Sequence, residues 1–247
     1  MTARNHSLMA ISGLFFLLLV AGRTNARAEG FAELYLGTAG NWRADTSVSE
    51  TRSSGTTSAA ATIDLPSPTE FGVRIGAWLP KYDYAGLGID FGYAHADAPG
   101  VEITTFPMSI LLALRAPLFR TPDRPGGRLQ PYAIAGVSFY IADVKFRLDG
   151  MGGDSYQLSW PMPYAANTVN KVFGPYLAAG LAWQPTKRLA FFGEYRYTSF
   201  DVGYDTTNSF LFPTANGRVD STVRADRVLF GISHRFGTEA PKKEANL

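Results

Sequence analysis

Residues 191–200 read FFGEYRYTSF, an aromatic stretch that carries two opposite charges, Glu194 and Arg196. Alternate side chains of a β-strand point to opposite faces of the sheet. One face of this stretch would therefore carry Phe191, Gly193, Tyr195 and Tyr197, and the other Phe192, Glu194, Arg196 and Thr198. A water-soluble sheet would turn its polar face to solvent, so this segment alone does not decide where the charges point.

The N-terminal segment MTARNHSLMAISGLFFLLLVAGRTNARAEG resembles a secretory signal peptide. It has a basic start, an apolar run from Leu8 to Val20, and the small-x-small pattern Ala26-Arg27-Ala28 expected before a cleavage site. An uncleaved anchor is the alternative, but the run is shorter than the roughly 20 residues of a membrane-spanning helix. Residues 1–28 are therefore predicted to be removed, which leaves Glu29 as the first mature residue.

Charge and cysteine content exclude several classes of protein. The chain has 23 basic and 21 acidic residues, and residues 1–28 contain three arginines and no acid, so the mature chain has 20 basic and 21 acidic residues. A basic nucleic-acid-binding surface is not expected. Because the chain has no cysteine, disulfides and thiolate metal sites are excluded. No later segment is long enough for a membrane helix, so an exported soluble protein and a membrane β-barrel remain.

Eight stretches alternate at period two and are separated by turn-forming residues, which predicts eight strands. They are longer than most soluble strands and long enough to cross a bilayer at a tilt. The connection 42–69 is rich in Ser and Thr and is predicted to be a solvated, mobile loop. The connections 146–171 and 204–221 are also predicted to be long loops. Short turns alternate with long loops along most of the chain. Two connections do not follow this alternation: 117–129 is long where a turn is expected, and the connection after His95 is short where a loop is expected. The predicted strands are 30–41, 70–79, 84–95, 104–116, 130–145, 172–184, 189–203 and 222–236.

The two faces of these strands differ consistently. One face carries large apolar residues, such as Leu87, Ile89 and Phe91, whereas the other carries glycine, small residues and isolated charges. Lysine is almost absent from the strands, unlike the solvent face of a soluble sandwich. We therefore expect the charged face to line a narrow barrel and the apolar face to meet lipid. The predicted luminal charges, which could pair in one interior network, are Glu33, Arg74, Asp90, Arg115, Glu194, Arg196 and Arg235; alternatively, some of them are hydrated at a barrel end.

Three segments, PYAIAGVSFY (131–140), GPYLAAGLAWQPTKRLAFFGEYRYTSF (174–200) and DRVLFGISHRF (226–236), resemble the small outer-membrane β-barrel superfamily that includes the OmpA transmembrane domain, OmpX and the opacity proteins. The resemblance implies an all-β, eight-stranded antiparallel up-and-down transmembrane β-barrel over residues 29–236, in the outer membrane of a Gram-negative bacterium. The closing strand also resembles the signal read by the barrel-assembly machinery, at Val228, Phe230, Ile232 and Phe236. Residues 237–247 depart from members that end at the aromatic residue, and form a short polar tail that is expected to be periplasmic and is too short for a peptidoglycan-binding domain.

The resemblance favours a non-enzymatic surface protein whose loops contact a host, a ligand or other cells. The expected partners are outer-membrane lipid and lipopolysaccharide, the barrel-assembly machinery and an unidentified extracellular ligand, and no cofactor is expected. A small channel, either a narrow pore or an OmpW-like conduit for apolar molecules, is the alternative. A lipid A-modifying hydrolase is a third hypothesis, but His95 and His234 are predicted at opposite rims, so two histidines cannot build one site. A site built on one histidine remains open, since Asp97 is two residues from His95, although no serine lies beside it on the same strand. Metal binding lacks ligands, because the two histidines are predicted at opposite rims.

Overall fold

The described part of the chain consists almost entirely of β-strands. The computed structural model describes residues 29–52, 55–65, 69–98, 101–121, 124, 126–146, 168–209 and 212–237. Within these residues, no helix has the length and apolar character needed to cross a membrane. The strands are β1 (Glu29–Arg52), β2 (Gly55–Leu65), β3 (Thr69–Trp78), β4 (Ala85–Ala98), β5 (Val101–Arg115), β6 (Leu129–Phe146), β7 (Thr168–Trp183), β8 (Leu189–Ser209) and β9 (Phe212–Phe236).

The strands form one antiparallel sheet that closes on itself. Strands β3 to β9 pair in chain order, and β9 pairs with β1. The first half of β1 pairs with β3 and its second half pairs with β2. Strands β2 and β3 therefore share one position in the wall, which makes a closed barrel of eight strand positions. The predicted all-β, eight-stranded antiparallel up-and-down barrel is confirmed.

The strands are tilted relative to the barrel axis. A row of register partners that leaves β1 at Phe31 passes through every other position of the wall and returns to β1 at Trp42. Such a stagger requires tilted strands, typically by roughly 35–45°. Each row therefore climbs from the end that holds Glu29 and Phe236 toward the end that holds the β1–β2 and β8–β9 hairpins.

The predicted assignment of the two faces is confirmed. Side chains of one parity are buried in the lumen, whereas those of the other parity form an exposed apolar band around the outside. The two faces of β8 illustrate this, because Glu194 and Arg196 are only 2% and 1% exposed while Tyr195 is 52% exposed. Large outward residues of the band include Leu34, Leu36, Phe71, Leu87, Phe106, Ile110, Leu112, Phe173, Leu177 and Phe230.

Glycine on the luminal face makes room for large neighbours. A Cβ on Gly231 would lie 2.4 Å from the Leu34 carbonyl oxygen and 2.4 Å from Cζ of Phe192. Gly193 faces outward, and a Cβ there would meet nothing closer than Phe230 Cε1 at 3.5 Å. The luminal glycine is therefore required by packing, whereas the outward one is not.

The prediction of a solvated loop over 42–69 is wrong for most of its length. Strand β1 continues to Arg52 and pairs with β2 on one side and with β9 on the other. Ser and Thr are compatible with a strand whose backbone groups are satisfied by partners on both sides. The register of β1 shifts between Ala39 and Asn41, so the parity of inward residues changes from odd before the shift to even at Trp42.

Other predicted bounds also change. The loop 204–221 is largely strand, because β8 extends to Ser209 and β9 begins at Phe212. The long connection after β5 is partly ordered by backbone bridges between Leu118 and Leu129 and between Thr121 and Arg124. Residues 147–167, the predicted signal peptide 1–28 and residues 238–247 of the predicted tail lie outside the described residues.

The glycine pair gives a test of the face assignment. We expect Gly231→Ala to lower the free energy of unfolding by roughly 1–3 kcal/mol, because the added methyl group overpacks the lumen against a backbone oxygen. The matched Gly193→Ala substitution, on the outward face of the neighbouring strand, should change it by no more than about 0.5 kcal/mol. Urea unfolding of both variants in lipid vesicles measures this difference. Equal effects at the two positions would contradict the assignment.

Candidate functional site

The middle of the lumen holds a group of buried charged side chains, which we call the central ionic cluster. Its members come from β1, β3, β4, β8 and β9, so the cluster spans the lumen from one wall to the other. Every member is 7% exposed or less. The cluster consists of Glu33, Glu70, Arg74, Asp90, Glu194, Arg196 and Arg227.

Strand register assembles the first part of the cluster. Glu33, Arg74 and Asp90 are direct partners on three adjacent strands. The Arg74 guanidinium donates from Nη1 to Glu33 Oε2 at 3.0 Å and from Nε to Asp90 Oδ2 at 3.1 Å. Its Nη2 reaches across the lumen to Glu194 Oε1 at 2.8 Å. One guanidinium thus joins three carboxylates from β1, β4 and β8.

Arg196 makes a second junction of the same kind. It donates to Glu194 Oε1 from Nε at 3.1 Å and from Nη2 at 2.9 Å. Its Nη1 donates to Glu70 Oε1 at 2.8 Å, and Nη2 lies 3.4 Å from Asp90 Oδ2. Glu194 and Arg196, the two charges of FFGEYRYTSF, therefore pair with each other and with residues of β3 and β4.

Glu70 neutralises a contact between like charges. Arg196 and Arg227 are direct partners on β8 and β9, an arrangement that is destabilising unless a counter-charge is present. Glu70 accepts from Arg196 through Oε1 and from Arg227 Nη1 through Oε2 at 2.7 Å. Its carboxylate is fully buried, so it bridges two guanidiniums in a region of low dielectric, where such attraction is strong.

Three tyrosines complete the hydrogen bonding of the cluster. Tyr35 donates to Asp90 Oδ1 at 2.6 Å, and Tyr132 donates to Glu194 Oε2 at 3.0 Å. Tyr176 accepts from Arg74 Nη2 at 2.7 Å. The Arg196 guanidinium also lies 4.5 Å from the ring centroid of Tyr35 and 4.8 Å from that of Tyr176. These rings provide cation–π contacts as well as hydrogen bonds.

A second set of polar residues closes the lumen near the end that holds Glu29. Arg115 donates to Glu29 Oε2 at 2.7 Å and to the Asp83 carbonyl at 2.7 Å, and its guanidinium lies 4.0 Å from the Trp78 ring centroid. Arg235 stands between this set and the central ionic cluster, 3.8 Å from Glu29 and 3.9 Å from Glu33. A cavity of about 20 Å³ beside it has room for about one water molecule.

The other half of the lumen, toward the hairpins, is lined by apolar side chains that we call the upper apolar ring. The rings of Tyr140 and Phe200 stack with their centroids 4.4 Å apart. Two buried polar atoms of the upper apolar ring, Trp42 Nε1 and the Tyr140 hydroxyl oxygen, have no hydrogen-bond partner among the described residues. The ring consists of Trp42, Ala44, Leu65, Ala94, Ala96, Ile103, Tyr140, Ala142, Phe200, Val202, Val223 and Ala225.

The polar set near Glu29, the central ionic cluster and the upper apolar ring leave the described lumen without an open polar path. Ions would have to pass the upper apolar ring and then the interlocked guanidiniums and carboxylates. Disrupting one buried pair leaves an uncompensated charge, which is strongly unfavourable. The arrangement therefore ties the strands of the wall together across the lumen.

The structure separates the predicted luminal residues into two groups. Glu33, Arg74, Asp90, Glu194 and Arg196 are brought together, whereas Arg115 pairs with Glu29 below them and Arg235 lies between the two groups. Glu70 and Arg227, which share the luminal parity of Arg74 and Arg235, were not included in the predicted network. The luminal tyrosines Tyr35, Tyr132 and Tyr176 were also missed, although Tyr35 shares the parity of Glu33 on β1.

The outward face holds the residues predicted to serve as the assembly signal. Val228, Phe230, Ile232 and Phe236 are 44%, 63%, 45% and 50% exposed on β9. Elsewhere on this face, a groove of about 450 Å³ lies over the small residues Ala133, Ala135 and Ala179 and is bordered by leucines and by Tyr195 and Tyr197. Lining of this kind matches the apolar interior of a bilayer.

The two histidines of the barrel do not form a joint site. His95 lies near the upper end of β4, where its Nδ1 is 3.0 Å from the Thr104 hydroxyl. His234 lies near the end of β9 and stacks on Phe236 with centroids 6.5 Å apart. Its register partners are Ala32 and Leu189, at the opposite end of the barrel from His95.

No protein-family model matches the sequence, and no curated protein is significantly similar to it. The outer membrane protein OprG from Pseudomonas aeruginosa is 13% identical, with 83% of this chain and 96% of OprG covered and a TM-score of 0.52. The fold is that of a small outer-membrane β-barrel. Neisserial surface protein A is 14% identical, with 82% of this chain and 97% of that protein covered and a TM-score of 0.45. At these identities the similarity concerns the fold alone.

The central ionic cluster predicts a large effect of removing Glu194. We expect Glu194→Ala to lower the free energy of unfolding by about 3–5 kcal/mol, because Arg74 and Arg196 would lose a shared buried partner. The control is Asp64→Ala, which breaks the pair with Arg43, whose side chains are 76% and 55% exposed. That change should cost only about 0–1 kcal/mol. Urea unfolding in lipid compares the two, and a loss below about 1 kcal/mol for Glu194→Ala would show that the luminal pair is hydrated.

Proposed function

We propose that the protein is a non-enzymatic outer-membrane surface protein. Its barrel serves as a rigid membrane scaffold, and the regions that extend beyond the barrel contact another surface or an extracellular ligand. The observation that carries this proposal is the central ionic cluster, which fills the lumen with paired charges. A barrel that is filled in this way is a poor pore, so its exposed extensions are the better candidates for activity.

The extensions have the character of a solvent-exposed surface. Above the apolar band, the outward side chains become polar and charged, and they include the exposed ion pairs Arg43–Asp64 and Arg224–Asp45. The Arg218 side chain donates to Asp220 Oδ2 at 2.8 Å, and this hydrogen bond lowers the pKa of Asp220. Strands β1, β2 and β9 carry these residues beyond the apolar band, which supports an extracellular role.

The predicted location and partners follow from this proposal. Residues 1–28 direct export and are removed, the apolar band contacts outer-membrane lipid and lipopolysaccharide, and residues 237–247 lie in the periplasm. The barrel-assembly machinery recognises the outward residues of β9 from Val228 to Phe236. The extracellular ligand is a molecule or surface that contacts the β1–β2 and β8–β9 hairpins.

The proposed absence of enzymatic activity rests on the placement of the histidines. Nucleophilic hydrolysis needs a base within hydrogen-bond reach of a nucleophile, and an orienting group behind the base. His95 is bonded to a threonine hydroxyl and His234 stacks on an aromatic ring at the opposite end of the barrel. Neither arrangement is that of a catalytic triad.

A conduit for apolar molecules is the second candidate function, and one observation favours it. The lumen toward the hairpins is lined by the upper apolar ring. An apolar molecule held in this ring would not have to cross the central ionic cluster.

The closed lumen predicts the absence of a large conductance. In planar bilayers, the purified protein should give no steady ion current of the size of a general porin, because an eight-stranded lumen has room only for its own side chains. The positive control is a known porin reconstituted in the same way. A stable open-channel current would overturn the scaffold proposal and favour a channel.

The surface role predicts that ligand contact depends on the hairpins. Cells or proteoliposomes that display the protein should bind a component of a screened panel of glycans, matrix proteins and host cells. A variant with the β1–β2 hairpin shortened by removal of 47–60 should lose that binding while keeping its heat-dependent shift in gel mobility, which reports a folded barrel. Retention of all binding by hairpin-shortened variants would contradict the proposal.

A further inference from the structure

A four-stranded sheet continues beyond the barrel on one side. The β1–β9 ladder reaches Thr51–Asn216, the β8–β9 ladder reaches Ser209–Phe212, and the β1–β2 ladder reaches Arg52–Gly55. Among the described residues, β2 pairs only with β1, and β8 pairs with β7 only from Phe191 to Thr198. The extension therefore has the strand order β2-β1-β9-β8, and its two edges, β2 and the part of β8 beyond Thr198, have no ladder partner within the described ranges.

These two edges differ in their side chains. The β8 edge carries Asp201 and Asp205, and charges of this kind normally prevent edge-to-edge association. From Gly55 to Ile63, β2 reads GTTSAAATI, with no charge and no proline. Its described side chains on both faces, from Thr56 to Thr62, are exposed. The β2 edge is thus a long, neutral edge with small side chains that let another backbone approach.

We propose that this edge pairs antiparallel with β2 of a second copy of the chain, held in a facing membrane. A two-fold contact brings one surface patch against the same patch of its partner. Like charges placed opposite each other in a sheet are destabilising, so the β8 edge, with Asp201 and Asp205, is unsuited to this pairing. The neutral β2 edge is suited to it.

The symmetry of antiparallel pairing places the second copy in a facing membrane. The two-fold axis of an antiparallel strand pair is perpendicular to the sheet. Because the barrel wall stands upright in the membrane, this axis lies in the membrane plane, and rotation about it inverts the second barrel. Two copies in one membrane cannot be related in this way, whereas copies in opposing membranes can.

Parallel pairing of two β2 strands within one membrane is disfavoured by the strand tilt. Its two-fold axis would run along the strand, which is tilted by roughly 35–45° from the barrel axis. Rotation about that axis would tip the second barrel by about twice the tilt, out of the shared membrane. One strand pair is a small contact, but many copies on two facing membranes bind multivalently. This inference rests on the proposed extracellular position of the hairpins.

The test uses vesicles that contain the full mature protein. Wild-type proteoliposomes should aggregate, with turbidity that rises with the density of protein in the membrane. A triple Lys variant at Ser58, Ala60 and Thr62, which share one face of β2, should reduce aggregation to the level of protein-free vesicles. The corresponding triple Glu variant should do the same, and mixing Lys vesicles with Glu vesicles should restore aggregation. Ser47→Lys, on the strand β1 that is paired on both sides, is the control and should aggregate like the wild type.

The absence of native cysteine makes the contact itself measurable. Ala60→Cys protein, prepared as two forms of different length and reconstituted in separate vesicles, should form mixed disulfide-linked dimers under mild oxidation after the vesicles are combined. Gly203→Cys, on the β8 edge, should not. All variants are first checked for the heat-dependent gel shift of a folded barrel. Folded, non-conducting wild-type protein that fails to aggregate vesicles, or mixed Lys and Glu vesicles that stay dispersed, would overturn the β2 contact while leaving the scaffold role intact.

Discussion

Burial of paired charges in a narrow tube is the constraint on which the rest of the structure depends. Arg74, Arg196 and Arg227 can be accommodated only where several acceptors converge, and those acceptors come from strands that are distant in sequence. A slip of one residue between two strands would turn a whole luminal set outward. The central ionic cluster therefore fixes strand register while it fills the lumen, and the glycines of the same face provide the space for it.

This constraint separates the barrel into parts with different roles. The outward face consists of large exposed apolar residues, and none of them needs a particular partner. Most buried charges of the lumen are paired with one another, and among the described residues this leaves no continuous polar path. Activity is then best sought where the sheet extends beyond the membrane or, for apolar molecules, in the upper half of the lumen. The scaffold and conduit proposals differ in which of these two regions acts.

Much of the fold could be predicted from the sequence, because the alternation of side chains in a strand is strict. The parity of FFGEYRYTSF identified Glu194 and Arg196 as neighbours on one face, and the structure buries both. The extent of the strands was harder to predict. The Ser/Thr-rich segment that follows Trp42 shows little alternation of polarity in its sequence, and its strand structure depends on pairing with β9, which is distant in the chain.

The membership of the cluster was also only partly predictable. The register that brings Glu33, Arg74 and Asp90 together follows from strand pairing, but the reach of Glu70 to both Arg196 and Arg227 depends on the curvature of the closed wall. The shift between Ala39 and Asn41 reverses the parity of β1, so Trp42 could not be assigned to the lumen by counting from Glu33. Alternation along a strand assigns each side chain to one face of the sheet, whereas closure of the barrel determines which charged side chains pair.

The most direct test of this account is a double-mutant cycle between Arg74 and Glu194, which lie on β3 and β8 and meet across the lumen at 2.8 Å. The free energies of unfolding of Arg74→Met, Glu194→Gln and the double variant are measured in lipid by urea titration and compared with the wild type. If buried ion pairs hold the lumen together, the two single losses should sum to more than the loss in the double variant, with a coupling energy above about 1.5 kcal/mol. Losses that add to within about 0.5 kcal/mol would show that the two side chains are independent, and would contradict a lumen held together by buried ion pairs.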